Sequence, residues 1–258
     1  MKGNYQMNKL VPCTIIIFIL LLFSLFISAG SADECTDIIN NSIVRIDMFW
    51  TVVKNRTTVP VEQSNSLGVL VSAKGHILTC YHCIAISKET ARFCGIPEGK
   101  VADSITVVLL CKGKKKSFPA RVINVDRWRD LALIQPYEKC NFTVTTTVDN
   151  SGTYSGQEIY YASVNPENPW NNISSGRLIY QSLNDKDRQV MGFRMDIKPG
   201  SSGSGMFDTA GNLTGLIYAT GSLASSSAGE TPLSLVIPAN CLSLFLDRNE
   251  VTFSRTCP

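Results

Sequence analysis

Short apolar runs punctuated by turn residues constrain this chain more than any other feature. Ser42–Met48, Leu67–Val71, Ile105–Leu110, Ala120–Val125, Leu131–Ile134, Glu158–Ala162, Leu213–Ala219 and Leu233–Ile237 are rich in β-branched and other apolar residues, and Gly, Asn, Asp or Lys separate them. Runs of this length suit strands, whereas a helix that buries one face needs a longer apolar pattern with helical spacing. Many short strands with frequent turns predict an all-β barrel or sandwich. Asn240–Arg248 is the exception, because Leu242, Leu244, Phe245 and Leu246 predict a short C-terminal helix. The chain has 258 residues, 44% of them apolar and 17% charged, enough for one large or two small cores.

The N-terminus reads as a targeting segment. Lys2 and Lys9 precede an apolar run from Thr14 to Ile27, followed by small residues 28–32 and then Asp33 and Glu34. A basic flank, an apolar stretch and a small-residue site describe a secretory signal peptide. An uncleaved anchor is the alternative, since Val11–Ala29 approaches the roughly 20 residues that span a bilayer. Both readings export the rest of the chain. The sequence carries 24 basic and 21 acidic residues, and losing Lys2 and Lys9 leaves 22 basic, a balance that points to no nucleic-acid partner.

Cysteine content agrees with export. Besides Cys13 in the leader there are Cys35, Cys80, Cys83, Cys94, Cys111, Cys140, Cys241 and Cys257, an even set that predicts up to four disulfides of unreadable connectivity. Sequons at Asn40, Asn55, Asn141, Asn172 and Asn212 are compatible with glycosylated surface loops. The Thr-rich stretch 141–147 reads as a crossing between two halves, and Ser222–Gly229 as a surface loop.

The strongest chemical signal is Pro199-Gly200-Ser201-Ser202-Gly203-Ser204-Gly205. So many small residues allow a tight turn whose amide N–H groups aim at one point, as an exposed nucleophilic serine and its oxyanion require. A Gly/Ser linker would have the same composition. Apolar neighbours Met195, Ile197, Met206 and Phe207 favour a turn within a core. A serine needs a base, and there are only two histidines. His76, in Lys74-Gly75-His76, reads as a solvated turn residue. His82 follows the strand-like Ile77-Leu78-Thr79 and is the candidate base, with a buried structural histidine as the plainer alternative. Asp130 opens the apolar run Asp130–Ile134 and is the candidate to orient the imidazole, with Asp126 close enough to compete.

Together these residues resemble the trypsin-like peptidases, especially the HtrA/Deg type. Gly68–Val71 through Gly75–His82 looks like that family's His motif, Asp130–Ile134 like its Asp motif, and Pro199–Gly205 with Gly211–Leu216 like its Ser motif and following hairpin. Val236–Asn240 resembles its last strand before the closing helix. The resemblance covers roughly residues 42–248 in the family's His, Asp, Ser order. It implies two six-stranded antiparallel β-barrels, with residues 33–140 in the first and 141–258 in the second. It implies Ser202 as nucleophile, His82 as base, Asp130 as orienting acid, and backbone N–H groups of Gly200 and Ser202 as oxyanion hole. It implies polypeptide substrates, and the reading calls for no cofactor and no metal.

Departures from the pattern carry their own expectations. No PDZ module is expected after the second barrel. Ser201 stands where digestive relatives have an aspartate that receives a new N-terminus, so activation by N-terminal cleavage is not expected. Ser204-Gly205 replaces a common Gly-Pro pair. Asp196, six residues before Ser202, matches the primary-pocket aspartate of relatives that prefer Lys or Arg. Leu216, Ile217 and Tyr218 stand on the strand where glutamyl-specific relatives place a histidine, which disfavours acidic specificity.

Three rival readings stay open. Cys80-Tyr81-His82-Cys83 is a C-x-x-C motif that a thiol–disulfide oxidoreductase could use at a helix N-terminus within a βαβ pattern. Cys80, His82 and Cys83 could instead hold zinc, although disulfides are the better default in an oxidising compartment, with Cys83 expected to staple the His loop. A protease-like binding protein is the third rival, opposed by the complete His82, Asp130 and Ser202 set. Lys112, Lys114, Lys115 and Lys116 read as a solvated hairpin tip.

Overall fold

In the computed structural model the described residues are 34–111, 113–139, 141–144, 146–162, 168–170, 172–185, 188–194, 197, 200–221 and 233–255. The leader, Cys140, Asp196, Cys257, Lys112 and the 222–229 loop lie outside them.

After a helical segment α1 (residues 34–42), twelve antiparallel strands close into two barrels of six. The first holds β1 (Ile43–Lys54), β2 (Thr57–Leu70), β3 (Ile77–Cys80), β4 (Ser104–Cys111), β5 (Lys114–Asp126) and β6 (Leu131–Pro136), in the order β1-β2-β3-β6-β5-β4. The second holds β7 (Glu158–Ala162), β8 (Ile173–Asp185), β9 (Arg188–Arg194), β10 (Gly205–Phe207), β11 (Leu213–Gly221) and β12 (Leu233–Pro238), in the order β10-β11-β12-β9-β8-β7. Closure removes the sheet edges that would otherwise invite pairing with other chains. Between β3 and β4 lie α2 (Tyr81–Ile84) and α3 (Lys88–Cys94), and α4 (Ala239–Arg248) follows the last strand.

Strand periodicity of two explains where the cores sit. Along β1, Val44, Ile46, Met48 and Trp50 point into the first barrel with Ile105, Val107 and Leu109 of β4. In β6, Ala132 and Ile134 join that core, while Leu131 and Leu133 face the other way. They meet Leu67, Val69 and Leu78 of the first barrel and Phe207, Leu213, Leu216 and Ile237 of the second in one shared cluster. A strand covered on both faces needs apolar residues at every position, which is why Leu131–Ile134 is an unbroken apolar run. Each such leucine contributes about 1.5–3 kcal/mol through burial. Ile159, Tyr161, Phe193, Met206, Ile217 and Val236 fill the second barrel.

The C-terminal helix is α4, and its Leu242, Phe245 and Leu246 are buried by i, i+3 and i+4 spacing while Leu244 faces solvent. Several sequence expectations need correction. The helix α3 carried a readable signal in its ends: Ser87 Oγ accepts from the Thr90 amide at 3.1 Å, and Gly95 closes it at φ 67°. Strands β8 and β9 and most of β2 were not legible because polar and small residues dominate them, and β10 because it is only three residues long. The sequon Asn40 is 7% exposed within α1, whereas Asn55 sits on the exposed β1–β2 turn with Arg56, both at positive φ. His76 is half-buried, its Nδ1 2.7 Å from Ser72 Oγ, and burial lowers its pKa. Cys35, Cys80, Cys83, Cys94, Cys111 and Cys241 are free thiols. Cys83 therefore does not staple the His loop by a disulfide, and its side chain turns toward Cys80 and His82.

Candidate active site

Register brings the histidine and its acid together. β3 and β6 pair antiparallel with Cys80 opposite Leu131, so the residues just beyond, Tyr81-His82 and Asp130, become neighbours across 48 positions of sequence. The Tyr81 amide donates to the Asp130 carbonyl at 3.0 Å. The His82 amide donates to Asp130 Oδ1 at 2.8 Å, and His82 Nδ1 lies 2.6 Å from Asp130 Oδ2. One carboxylate thus fixes both the backbone and the ring of His82. Asp130 is 7% exposed and has φ 58°, a left-handed conformation that aspartate tolerates better than most residues.

The turn before Asp130 separates the two competing acids. Asp126 accepts from the Arg129 amide at 2.9 Å and from its guanidinium at 2.8 Å. Burial alone would raise its pKa, but these hydrogen bonds and the Arg129 charge outweigh burial and lower it. Asp126 is therefore committed to its own turn, and Asp130 is the acid that meets His82.

The serine turn is clamped between the barrels. The Leu67 amide donates to the Ser202 carbonyl at 3.2 Å, and the Gly203 amide to the Ile217 carbonyl at 2.8 Å. Gly200 and Gly203 have φ 96° and 84°, so the turn needs glycine at both positions. A Cβ at Gly203 would overlap the Leu67 carbonyl and Thr79 Oγ1. Ser201 and Ser204 are buried, and Ser204 Oγ donates to the Ala162 carbonyl at 3.2 Å. Ser202 stays half-exposed and its Oγ donates to the Tyr218 carbonyl at 3.4 Å. Among the described residues, the backbone N–H groups of Gly200 and Ser202 donate to no protein acceptor. Two free amides on one tight turn can serve an oxyanion.

The far side of the imidazole holds a feature that sequence reasoning placed only as a motif. Cys83 Sγ lies 3.6 Å from His82 Nε2, and Cys80 Sγ donates to the Ile217 carbonyl at 3.3 Å. Burial works against a charged imidazole, but hydrogen bonding to Asp130 and Cys83 and their charges push the His82 pKa up. The Cys83 thiol is pulled down, first by its hydrogen bond to Cys80 and then, against burial, by His82. Cys80 moves the opposite way, raised chiefly by burial. Among the described residues, Ser202 Oγ has its hydrogen bond to the Tyr218 carbonyl, and His82 Nε2 has its contact with Cys83 Sγ. Cys80 does cap a helical turn, yet α2 is one turn between antiparallel strands, without the βαβ setting that the oxidoreductase reading requires.

Fold and site together define a two-barrel scaffold that carries a carboxylate-held histidine on the first barrel and a glycine-rich serine turn on the second. The chain belongs to the trypsin-like peptidase family: the model for the trypsin-like peptidase domain matches residues 67–216. That membership makes it a peptidase-type hydrolase domain. Its fold is similar to a solved structure described as HtrA-type protease AlgW with decapeptide, at a TM-score of 0.62 and 19% identity, covering 85% of this chain and 67% of the other. The comparison with curated proteins finds no match.

Proposed function

We propose that this chain is an exported serine endopeptidase that cleaves peptide bonds through an acyl-enzyme. Ser202 Oγ attacks the scissile carbonyl, His82 Nε2 accepts its proton and returns it to the leaving amine, and Asp130 holds the ring and stabilises its charged form. The Gly200 and Ser202 amides receive the oxyanion. One observation carries this reading: His82 Nδ1 lies 2.6 Å from Asp130 Oδ2 while the same carboxylate takes the His82 amide. Nδ1 is thereby committed to Asp130, and Nε2, which meets Cys83 Sγ at 3.6 Å, is the nitrogen that exchanges the proton with Ser202.

The occupant of the cleft is a polypeptide, as the peptide in the AlgW structure suggests by likeness of fold. By its place six residues before Ser202 in the sequence, Asp196 favours Lys or Arg before the cleaved bond, because a carboxylate pairs with a basic side chain. The apolar run following Lys2 and Lys9 supports export, with residues 33–140 and 141–258 as the two halves of the enzyme. Hydrolysis of a peptide library by the purified chain tests the proposal. Cleavage enriched after Lys or Arg and absent in Ser202→Ala is expected. Cleavage that persists in Ser202→Ala overturns the nucleophile, and cleavage without basic enrichment removes Asp196 from the pocket.

A further inference from the structure

Three metal-ligating atoms converge on one side of His82. Cys80 Sγ, His82 Nε2 and Cys83 Sγ all lie within 4.8 Å of one another, with Cys83 Sγ 3.6 Å from Nε2. The one-turn helix α2 produces this arrangement. Cys80 is its N-cap and Cys83 its third residue, a spacing that returns both side chains to the same side.

Tetrahedral zinc takes thiolate at about 2.3 Å and imidazole nitrogen at about 2.0–2.1 Å, which sets neighbouring ligand atoms roughly 3.5–3.8 Å apart. The Cys83–His82 separation already has that length, and the remaining approach asks for a shift on the order of 1 Å. The carboxylate behind the histidine fits as well. A metal-bound histidine ordinarily gives its other nitrogen to a carboxylate, and Asp130 holds His82 Nδ1 at 2.6 Å. The His82 side chain is 46% exposed, so a cation can reach the two buried sulfurs from the cleft.

We infer that Cys80, His82 and Cys83 form a binding site for a thiophilic divalent cation of the zinc type, which on binding occupies His82 Nε2. Binding to the two thiols releases their two protons to solvent, and the cation becomes bonded to both sulfurs and to Nε2. A nitrogen so bonded cannot take a proton from Ser202, so the bound cation switches hydrolysis off and its removal restores it. The inhibitory half of this inference rests on the peptidase reading; the binding half stands without it.

The test uses the purified, reduced full chain and the metal alone. Cobalt(II) is added first, because thiolate ligation gives it a charge-transfer absorption that oxygen and nitrogen ligands do not. A band that saturates at one cobalt per chain and is bleached by zinc(II) is expected. Cys83→Ser should weaken binding by more than the roughly 10–100-fold that loss of an outer-shell partner costs. Cys94→Ser, which alters a thiol away from the cluster, should bind as wild type. Since Cys80 is fully buried, near-ultraviolet circular dichroism checks that each variant is folded. The second arm follows peptide hydrolysis, expected to fall at least tenfold with stoichiometric zinc(II) and recover with chelator in wild type but not to respond in Cys83→Ser. No charge-transfer band in folded wild type, an undiminished band in Cys83→Ser, or recovery of the pair as a Cys80–Cys83 disulfide overturns the site. Cobalt binding without any hydrolysis would keep the site and sink the peptidase reading, and hydrolysis without cobalt binding would do the reverse.

Discussion

The Leu67 amide donates to the Ser202 carbonyl at 3.2 Å, so backbone from the first barrel holds the serine turn of the second. Gly203, the next residue, packs against the same Leu67 carbonyl at φ 84°. Gly203→Ala adds left-handed strain and a clash with backbone that cannot move aside. A loss of about 3 kcal/mol or more is expected, together with loss of hydrolysis. Chemical denaturation measures the first, and a Gly203→Ala protein as stable as wild type contradicts the clamp.

Asp130 is placed against His82 and Asp126 against Arg129. Asp130→Asn keeps the shape but favours the wrong imidazole tautomer, and kcat is expected to drop about 10⁴-fold. Asp126→Asn should change kcat by less than about tenfold, since its contacts stop at its own turn. Steady-state kinetics on both variants separates the roles; equal losses would mean that the two acids had been assigned wrongly.

Asp126 also predicts a pH dependence of stability. Its folded pKa is depressed by Arg129, so its contribution is present above the unfolded carboxylate value of about 3.9 and is lost as pH falls through the lower folded value. Asp126→Asn is expected to be about 0.5–1 kcal/mol less stable at neutral pH, the range for a partly exposed ion pair. The two stability curves should converge as the medium becomes more acidic than the folded pKa. A constant gap at every pH contradicts the Arg129 pairing.

Leu133 faces the cluster shared by the barrels and is fully buried. Leu133→Ala is expected to cost about 2–5 kcal/mol, and because that cluster underlies both His82 and Ser202, hydrolysis should fail at a lower denaturant concentration than in wild type. Parallel unfolding and activity curves check this.

Much of the fold was legible because its strands are short apolar runs set between turn residues. Leu131–Ile134 and Leu233–Ile237 announced themselves in this way. By contrast, Ile173–Asp185 contains two serines, a glycine and an arginine before its midpoint, and only pairing with β7 and β9 makes it a strand. His82 stood out because the sequence has only two histidines, and Ser202 because Gly200, Gly203 and Gly205 surround it. The Asp130–Ile134 motif pointed to Asp130 over Asp126, but the physical reason, the β3–β6 register that sets Asp130 against His82, was hidden. The contact of Cys83 with Nε2 was equally hidden. The C-x-x-C spacing was visible, but the direction in which α2 turns its thiols is a property of the fold.

The central claim is that Ser202 is the nucleophile, activated by His82 held on Asp130. A fluorophosphonate probe added to the chelator-treated protein, with the adduct located by peptide mass spectrometry, tests it most directly. The account predicts one phosphonyl group on Ser202 in wild type, none in Ser202→Ala, and labelling slowed by orders of magnitude in Asp130→Asn. Folded wild type that takes up no probe, or an adduct placed on a residue other than Ser202, would contradict it.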